Sequence, residues 1–159
     1  MSKVILVRHA AALSREQAKA AGIADRKRPL TAQGIRGFRK QITKHRKIFG
    51  KVDLWVTSPF VRAKETLDVV FEVLGVDEAE INILPKLTPE SKPAQLREWL
   101  KKRKEKTIVL VSHEPFLTDF ISQNTANVKK IPKIKKGAIV VLDFNTKDQK
   151  YKLKALFIP

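Results

Sequence analysis

Lys3-Val4-Ile5-Leu6-Val7-Arg8-His9-Ala10 is the stretch on which the fold turns. Its four apolar residues, three of them β-branched, stand between charged neighbours. Such a run reads as a short buried strand. The arginine and histidine follow at its carboxyl end, where open α/β sheets hold their ligands. Two other runs end in the same manner. Thr107-Ile108-Val109-Leu110-Val111 leads into Ser112-His113-Glu114-Pro115, and Leu54-Trp55-Val56-Thr57 leads into Ser58-Pro59 and then Arg62. Each of the three strand ends offers a group suited to holding or attacking a phosphoryl group. At one edge of one sheet they imply a site.

Working outward, Lys3 to Val7 is the first expected strand, and Ala11 to Pro29 is a polar connection with a helical turn near Glu16 to Ala21. Thr31 is a helix N-cap, and the stripe Ile35, Phe38, Ile42 and Phe49 carries that helix to Gly50. Asp53 to Thr57 is a strand. Ser58-Pro59 reads as the start of the next helix, a capping hydroxyl followed by proline at the first helical position. That helix buries Leu67, Val70, Phe71 and Leu74 and stops at Gly75. Glu80 to Leu84 is a third strand, and Ala94 to Lys104 a helix with Leu96, Trp99 and Leu100 inward. Thr107 to Val111, the most apolar strand, is expected at the centre of the sheet. A helix spans Phe116 to Ser122. Gly137 to Phe144 and Tyr151 to Ile158 form an antiparallel pair around a turn at Asn145 to Asp148. The alternation predicts a three-layer α/β/α sandwich. Its central sheet is mainly parallel, with helices on both faces and an antiparallel C-terminal strand.

The length of 159 residues predicts one domain, residues 1–159. No apolar run approaches the roughly 20 residues of a membrane span, and the first residues do not have the pattern of a signal peptide. Without cysteine, disulfides and thiolate zinc sites are excluded. The expected location is the cytoplasm. Lys and Arg outnumber Asp and Glu 33 to 16, a net charge of +17, which favours anionic partners. Much of that charge lies in Lys44 to Lys47, Lys101 to Lys104 and Lys129 to Lys136, first read as solvated faces.

A phosphate in this site needs fixed donors, and arginine supplies a planar, permanently charged fork. Arg8 and Arg62 come from two strand ends, the latter in the first turns of a helix. His9 is a candidate nucleophile, able to attack phosphorus through a neutral ring nitrogen and give a phosphohistidine. The neighbouring arginines disfavour protonation of that ring. His113 donates to a phosphoryl oxygen as charge develops. His45 reads as a surface residue; Trp55 and Trp99 read as core.

Together these motifs resemble the histidine phosphatase superfamily. The resemblance rests on Arg8-His9-Ala10, on Leu30-Thr31-Ala32-Gln33-Gly34, on Ser58-Pro59-Phe60-Val61-Arg62-Ala63-Lys64-Glu65-Thr66 and on Ser112-His113, spread over most of the chain. Arg28-Pro29-Leu30-Thr31, Ser58-Pro59-Phe60 and Leu87-Thr88-Pro89 are similar to the short SixA-type phosphohistidine phosphatases. The resemblance implies His9 as nucleophile and Arg8, Arg62 and His113 as the phosphate pocket, with Arg28 reaching the phosphate. It leaves the general acid open between Glu114, Glu90 and none. Imidazole leaves more readily than an alkoxide, because its conjugate acid has a pKa of about 6.5, so cleaving phosphohistidine needs less help from an acid.

The expectation is a metal-independent phosphatase without cofactor, acting on phosphohistidine of a protein substrate. The connections from Leu84 to Ala94 and from His113 to Gly137 are short, which favours a pocket open to a protein side chain. A small-molecule phosphomonoesterase with the same site is the alternative enzyme. A metal site of His9, His113 and Glu114 is disfavoured by the adjacent arginines. A basic nucleic-acid-binding module is the non-enzyme alternative, supported by charge but by no recognised motif.

Overall fold

The computed structural model describes residues 2–159 except Lys129 and Asp148. The strands are β1 (Lys3–Arg8), β2 (Leu54–Thr57), β3 (Ile81–Ile83), β4 (Thr107–Ser112), β5 (Ile139–Asn145) and β6 (Lys150–Phe157). The helices are α1 (Arg15–Ala20), α2 (Ala32–His45), α3 (Val61–Leu74), α4 (Pro93–Lys101) and α5 (Phe116–Asn124). All six strands form one sheet in the order β3-β2-β4-β1-β5-β6. β1, β2, β3 and β4 pair in parallel; β5 runs against both β1 and β6.

Strand periodicity splits the core into two layers. Val4 and Leu6 of β1 join Leu96, Leu100, Phe116 and Phe120, beneath α4 and α5. Ile5 and Val7 join Phe38, Ile42, Leu67 and Val70, beneath α2 and α3. Helices therefore cover both faces, and β1 and β4 read as unbroken apolar runs because neither face of them meets water. β4 is central, as its composition predicts. Among the described residues, no helix is long and apolar enough to cross a membrane.

Several expected boundaries move. α2 ends at His45, and a 3-10 turn over Arg46–Phe49 carries Phe49 into the core. α4 stops at Lys101, because the N–H groups of Lys102 and Arg103 bond three residues back, to Trp99 and Leu100. Trp99, read as core, is only half-buried at the edge of the core, and Arg103 covers its ring at 4.8 Å. α3 begins at Val61 with Phe60 as its N-cap and no capping side chain, so the Ser58-Pro59 start is wrong by two positions. β3 is only three residues long and lies at the sheet edge with Ile81 and Ile83 exposed. The C-terminal pair is β5 with β6, as expected, although Asp148 of its turn lies outside the described residues. His45 is half-buried, its ring 4.4 Å from that of Phe157.

Candidate active site

Register brings the three strand ends level. Arg8 pairs with Ser112 and Thr57 with Val111. Hydrogen bonds continue one residue beyond the ladder, from the His9 N–H to the Ser112 carbonyl and from the Ser58 N–H to the Val111 carbonyl, each at 3.0 Å. His9 and His113 therefore leave the sheet side by side, with ring centroids 5.0 Å apart. The loop before β5 closes behind them: the Gly137 N–H points at the carbonyls of both Arg8 and His9, at 3.1 Å. Gly137 has φ +75, a conformation that glycine adopts freely.

His9 is 6 % exposed, and its Nδ1 lies 2.7 Å from the Ala10 carbonyl oxygen. A carbonyl only accepts, so the proton of the neutral ring sits on Nδ1 and Nε2 keeps its lone pair. Burial pushes the ring pKa down to about 3; the Ala10 bond opposes this, and Arg62, Arg8 and Lys136 add to it. His9 is thus a neutral imidazole surrounded by cations.

Arg62 is 2 % exposed and comes from the first turn of α3. Its guanidinium donates to the Asp25 backbone carbonyl at 2.8 Å and to Asp25 Oδ2 at 3.3 Å. Arg28, also buried, donates from Nε to Asp25 Oδ1 at 3.0 Å and from Nη1 to the Leu13 carbonyl at 2.6 Å. Asp25 therefore fixes two of the expected phosphate ligands, and Arg15 approaches it from outside. Burial acts upward on the Asp25 carboxyl, yet Arg62, Arg28 and Arg15 together hold it below its ordinary value. Arg8 donates to the Ile134 carbonyl at 2.5 Å.

His113 is 1 % exposed, with Nε2 2.8 Å from the hydroxyl of Ser58. This bond explains the missing cap on α3, because the hydroxyl that reads as a cap serves a histidine instead. When Ser58 donates, His113 keeps an N–H on Nδ1. Burial, His9 and the three arginines push its pKa down to about 2. Phe60 fills the space alongside, its ring 5.0 Å from that of His113 and 4.8 Å below the Arg62 guanidinium carbon.

Among the described residues, the buried side-chain polar atoms without a hydrogen-bond partner are Arg8 Nε, Arg62 Nε, His113 Nδ1 and Glu114 Oε1. Buried donors are nearly always paired, so three of them at one sheet edge suit an oxyanion. Glu114 accepts from the Thr118 hydroxyl at 2.6 Å through its other oxygen. Burial raises its pKa, against the pull of Thr118 and Arg8. Glu90 is exposed, on the turn after the 3-10 segment Pro85–Leu87. Among the described residues, no three His, Cys, Asp or Glu side chains gather as a metal-ligand set.

The remaining motif residues build the frame. Thr66 accepts from the Ala10 N–H at 3.0 Å and donates to the Arg62 carbonyl at 2.6 Å, coupling the strand end that carries His9 to the helix that carries Arg62. Glu65 accepts from the Leu30 N–H. A Cβ on Gly34 would lie 2.1 Å from the Ala11 carbonyl oxygen, so the start of α2 packs directly on the segment after His9. The Ser112 hydroxyl donates to the Leu87 carbonyl, pinning the Leu87-Thr88-Pro89 segment to β4. Asp25, Thr66 and Lys136 were not singled out from sequence. Asp25 carries a signal only in retrospect, three residues before Arg28 and in reach of it across a 3-10 turn.

No family model matches the chain, and no curated protein matches it by sequence. Solved structures match it closely in shape. The protein histidine phosphatase SixA complexed with tungstate superposes with a TM-score of 0.84 at 20% identity, over 99% of this chain and 97% of that one. Phosphoserine phosphatase from Entamoeba histolytica, in complex with 3-phosphoglyceric acid, gives 0.67 at 15% identity over 100% and 98%. The alpha-ribazole phosphatase from Shigella flexneri gives 0.68 at 16% identity over 97% and 95%. The chain therefore has the fold of the histidine phosphatase superfamily. Within that fold it is similar to SixA over nearly the full length of both chains.

Proposed function

We propose that residues 1–159 act as one metal-independent phosphatase unit working through a phosphohistidine on His9. One observation carries this reading. His9 keeps a lone pair on Nε2, with its proton tied to the Ala10 carbonyl, beside the unpartnered donors of Arg8, Arg62 and His113.

The Nε2 lone pair attacks phosphorus, and the bond from phosphorus to the leaving group breaks with its electron pair. Arg8, Arg62 and the His113 Nδ1–H stabilise the charge on the phosphoryl oxygens. Arg28 adds a positive charge, oriented through Asp25. The Nδ1–H bond to Ala10 stabilises the cationic phosphoimidazole. Water then attacks phosphorus and releases inorganic phosphate, restoring neutral His9. Glu114, inclined by burial to keep a proton, supplies it to leaving groups that need one.

The substrate we favour is phosphohistidine on a protein. The likeness to a structure described as a protein histidine phosphatase supports this. So do the short connections flanking the site, which hold a 3-10 turn before α4 and α5 before β5. Hydrolysis of an aryl phosphate in chelator, wild type beside His9→Ala, tests the chemistry. Turnover in the wild type and none in the variant is expected; turnover that survives His9→Ala, or that needs added metal, overturns the reading. Comparing a phosphohistidine protein with sugar phosphates and nucleotides tests the substrate class, and faster turnover of the small molecules would reassign it.

A further inference from the structure

The segment after α5 returns to the site as Lys130-Ile131-Pro132-Lys133-Ile134-Lys135-Lys136-Gly137. Every third residue is an anchor. Ile131 is 8 % and Ile134 1 % exposed, and both lie in the core beneath α4 and α5. Gly137 is tied to the backbone of Arg8 and His9. Arg8 also bonds to the Ile134 carbonyl, so the segment is fastened to the site along its length. Lys130, Lys133 and Lys136 precede these anchors at the same spacing, and all three are exposed, as is Lys135. The result is a ridge of lysines held by an apolar underside, with its last member at the pocket.

The ridge is electrostatically continuous with the site. Lys136 interacts with His9, and its own pKa is lowered, first by burial and then by Arg8, Arg28, Arg62 and Lys133. Lys133 lines an open cavity of about 550 Å³ with Arg8, Glu114, Thr118, Asp119 and Ile131. Asp25 and Glu114 interact with the pocket arginines and Asp119 lines the cavity beside Lys133, against Arg8, Arg28, Arg62, Lys130, Lys133, Lys135 and Lys136. A phosphoryl group brings at most about two negative charges, so an excess of cations remains along the ridge.

We infer that this ridge is a docking track for an acidic polypeptide segment next to the phosphohistidine, and so sets which phosphoproteins are substrates. The inference rests on the phosphohistidine reading above. Stretched nucleic acid is the less suitable occupant. Single strands bind through stacking on aromatic side chains as well as charge, and the stretch 129–138 contains no aromatic residue. Carboxylates spaced along an extended chain match lysines three residues apart. Such contacts act through long-range attraction and weaken with salt.

The test uses two phosphohistidine peptides that differ only in flanking Glu or Gln. They are turned over by the wild type and by Lys130→Gln/Lys135→Gln, two ridge lysines outside the pocket lining, with an aryl phosphate as the control. The wild type should favour the Glu peptide in kcat/KM by roughly 3- to 30-fold, the range of two or three exposed ion pairs. Added salt and the double substitution should each close most of that gap, while aryl phosphate turnover changes less than twofold. Equal turnover of the two peptides by the wild type, or a preference that survives the substitutions, overturns the docking track but leaves the phosphatase standing. Loss of aryl phosphate turnover in the wild type would instead strike the catalytic reading. Calorimetry with the unphosphorylated Glu peptide then still decides the track, by salt-sensitive binding that the double variant lacks. Tighter binding of a single-stranded oligonucleotide of equal charge would hand the ridge to nucleic acid and overturn the proposal.

Discussion

The starts of α2 and α3 carry similar sequence signals and are built differently. Thr31 caps α2, its hydroxyl accepting from the Gly34 N–H at 2.9 Å. Ser58 stands ahead of α3 with a proline behind it, an equally good start signal, yet α3 begins at Val61 without a side-chain cap. The Ser58 hydroxyl is 2.8 Å from His113 instead. The difference is one of competition. A cap forms by default when a hydroxyl has only local N–H groups to serve. A buried imidazole nearby changes the outcome, because leaving it unpaired costs more than leaving a helix end uncapped. An uncapped start also leaves the first turn of α3 without a side-chain acceptor, although the Ala63 N–H bonds back to the Phe60 carbonyl at 3.0 Å.

The largest effect expected from breaking this comparison is at Arg62. Arg62→Ala should lower kcat for an aryl phosphate by roughly 10²–10³-fold, the loss usual for one donor to a developing oxyanion. Arg62→Lys should recover little of it, since a point charge replaces a fork held by Asp25. Retention of more than a tenth of the activity in Arg62→Ala would show that α3 supplies no phosphate ligand.

Next comes Gly34→Ala at the start of α2. The new methyl meets a backbone carbonyl rather than a movable side chain. Thermal unfolding should report a loss of roughly 1–3 kcal/mol, the cost of overpacking. Ala11 lies two residues from His9, so activity should fall as well.

The two caps then form a crossed pair. Ser58→Ala should cost roughly tenfold in kcat by freeing His113, as a supporting residue behind such a group does, and roughly 1–3 kcal/mol of stability, because the buried imidazole nitrogen loses its partner. Thr31→Ala should cost about 1 kcal/mol of stability and leave kcat nearly unchanged. Denaturation midpoints and kinetics measured on both variants check this, and matching effects from the two would erase the distinction between the caps.

In turnover, the smallest effect expected is in the pH response; in stability that response is large. His9 and His113 titrate near about 3 and about 2 in the fold, whereas an unfolded histidine titrates near about 6.5. Below that value the unfolded chain binds protons that the folded chain refuses. Stability held above pH 6.5 is therefore lost progressively as pH falls toward about 3. The melting temperature should decline across this window, and less steeply in His9→Asn. In kcat/KM, no acid limb near pH 6.5 should arise from His9, once the substrate's own ionisation near about 6 is divided out.

The parallel sheet was legible because burial on both faces leaves an unbroken apolar run, and β1 and β4 each have one. The placing of the candidate site was legible because a strand end fixes where the next residue goes: Arg8 and Ser112 end β1 and β4, and His9 and His113 follow them directly. α1 was visible only as a turn because six residues carry little periodicity, although Ser14 and Gln17 form a capping box. The expected β3 is too long at both ends: Glu80 and Leu84 continue its sequence pattern, but the ladder with β2 runs only from Ile81 to Ile83, with the Leu84 N–H adding one last bond to the Thr57 carbonyl.

Sequence alone determined the order of strands and helices and the residue types at three carboxyl ends. Both follow from periodicity and near-neighbour preferences, which are local. Only the tertiary structure decided who bonds to whom across long separations. Asp25 clamps Arg62, Ser58 turns to His113, Thr66 joins Ala10 to α3, and the lysine segment before β5 closes on His9. A hydrogen bond depends on distances of tenths of an ångström between groups brought together by the whole packed core. No local pattern of residues encodes that.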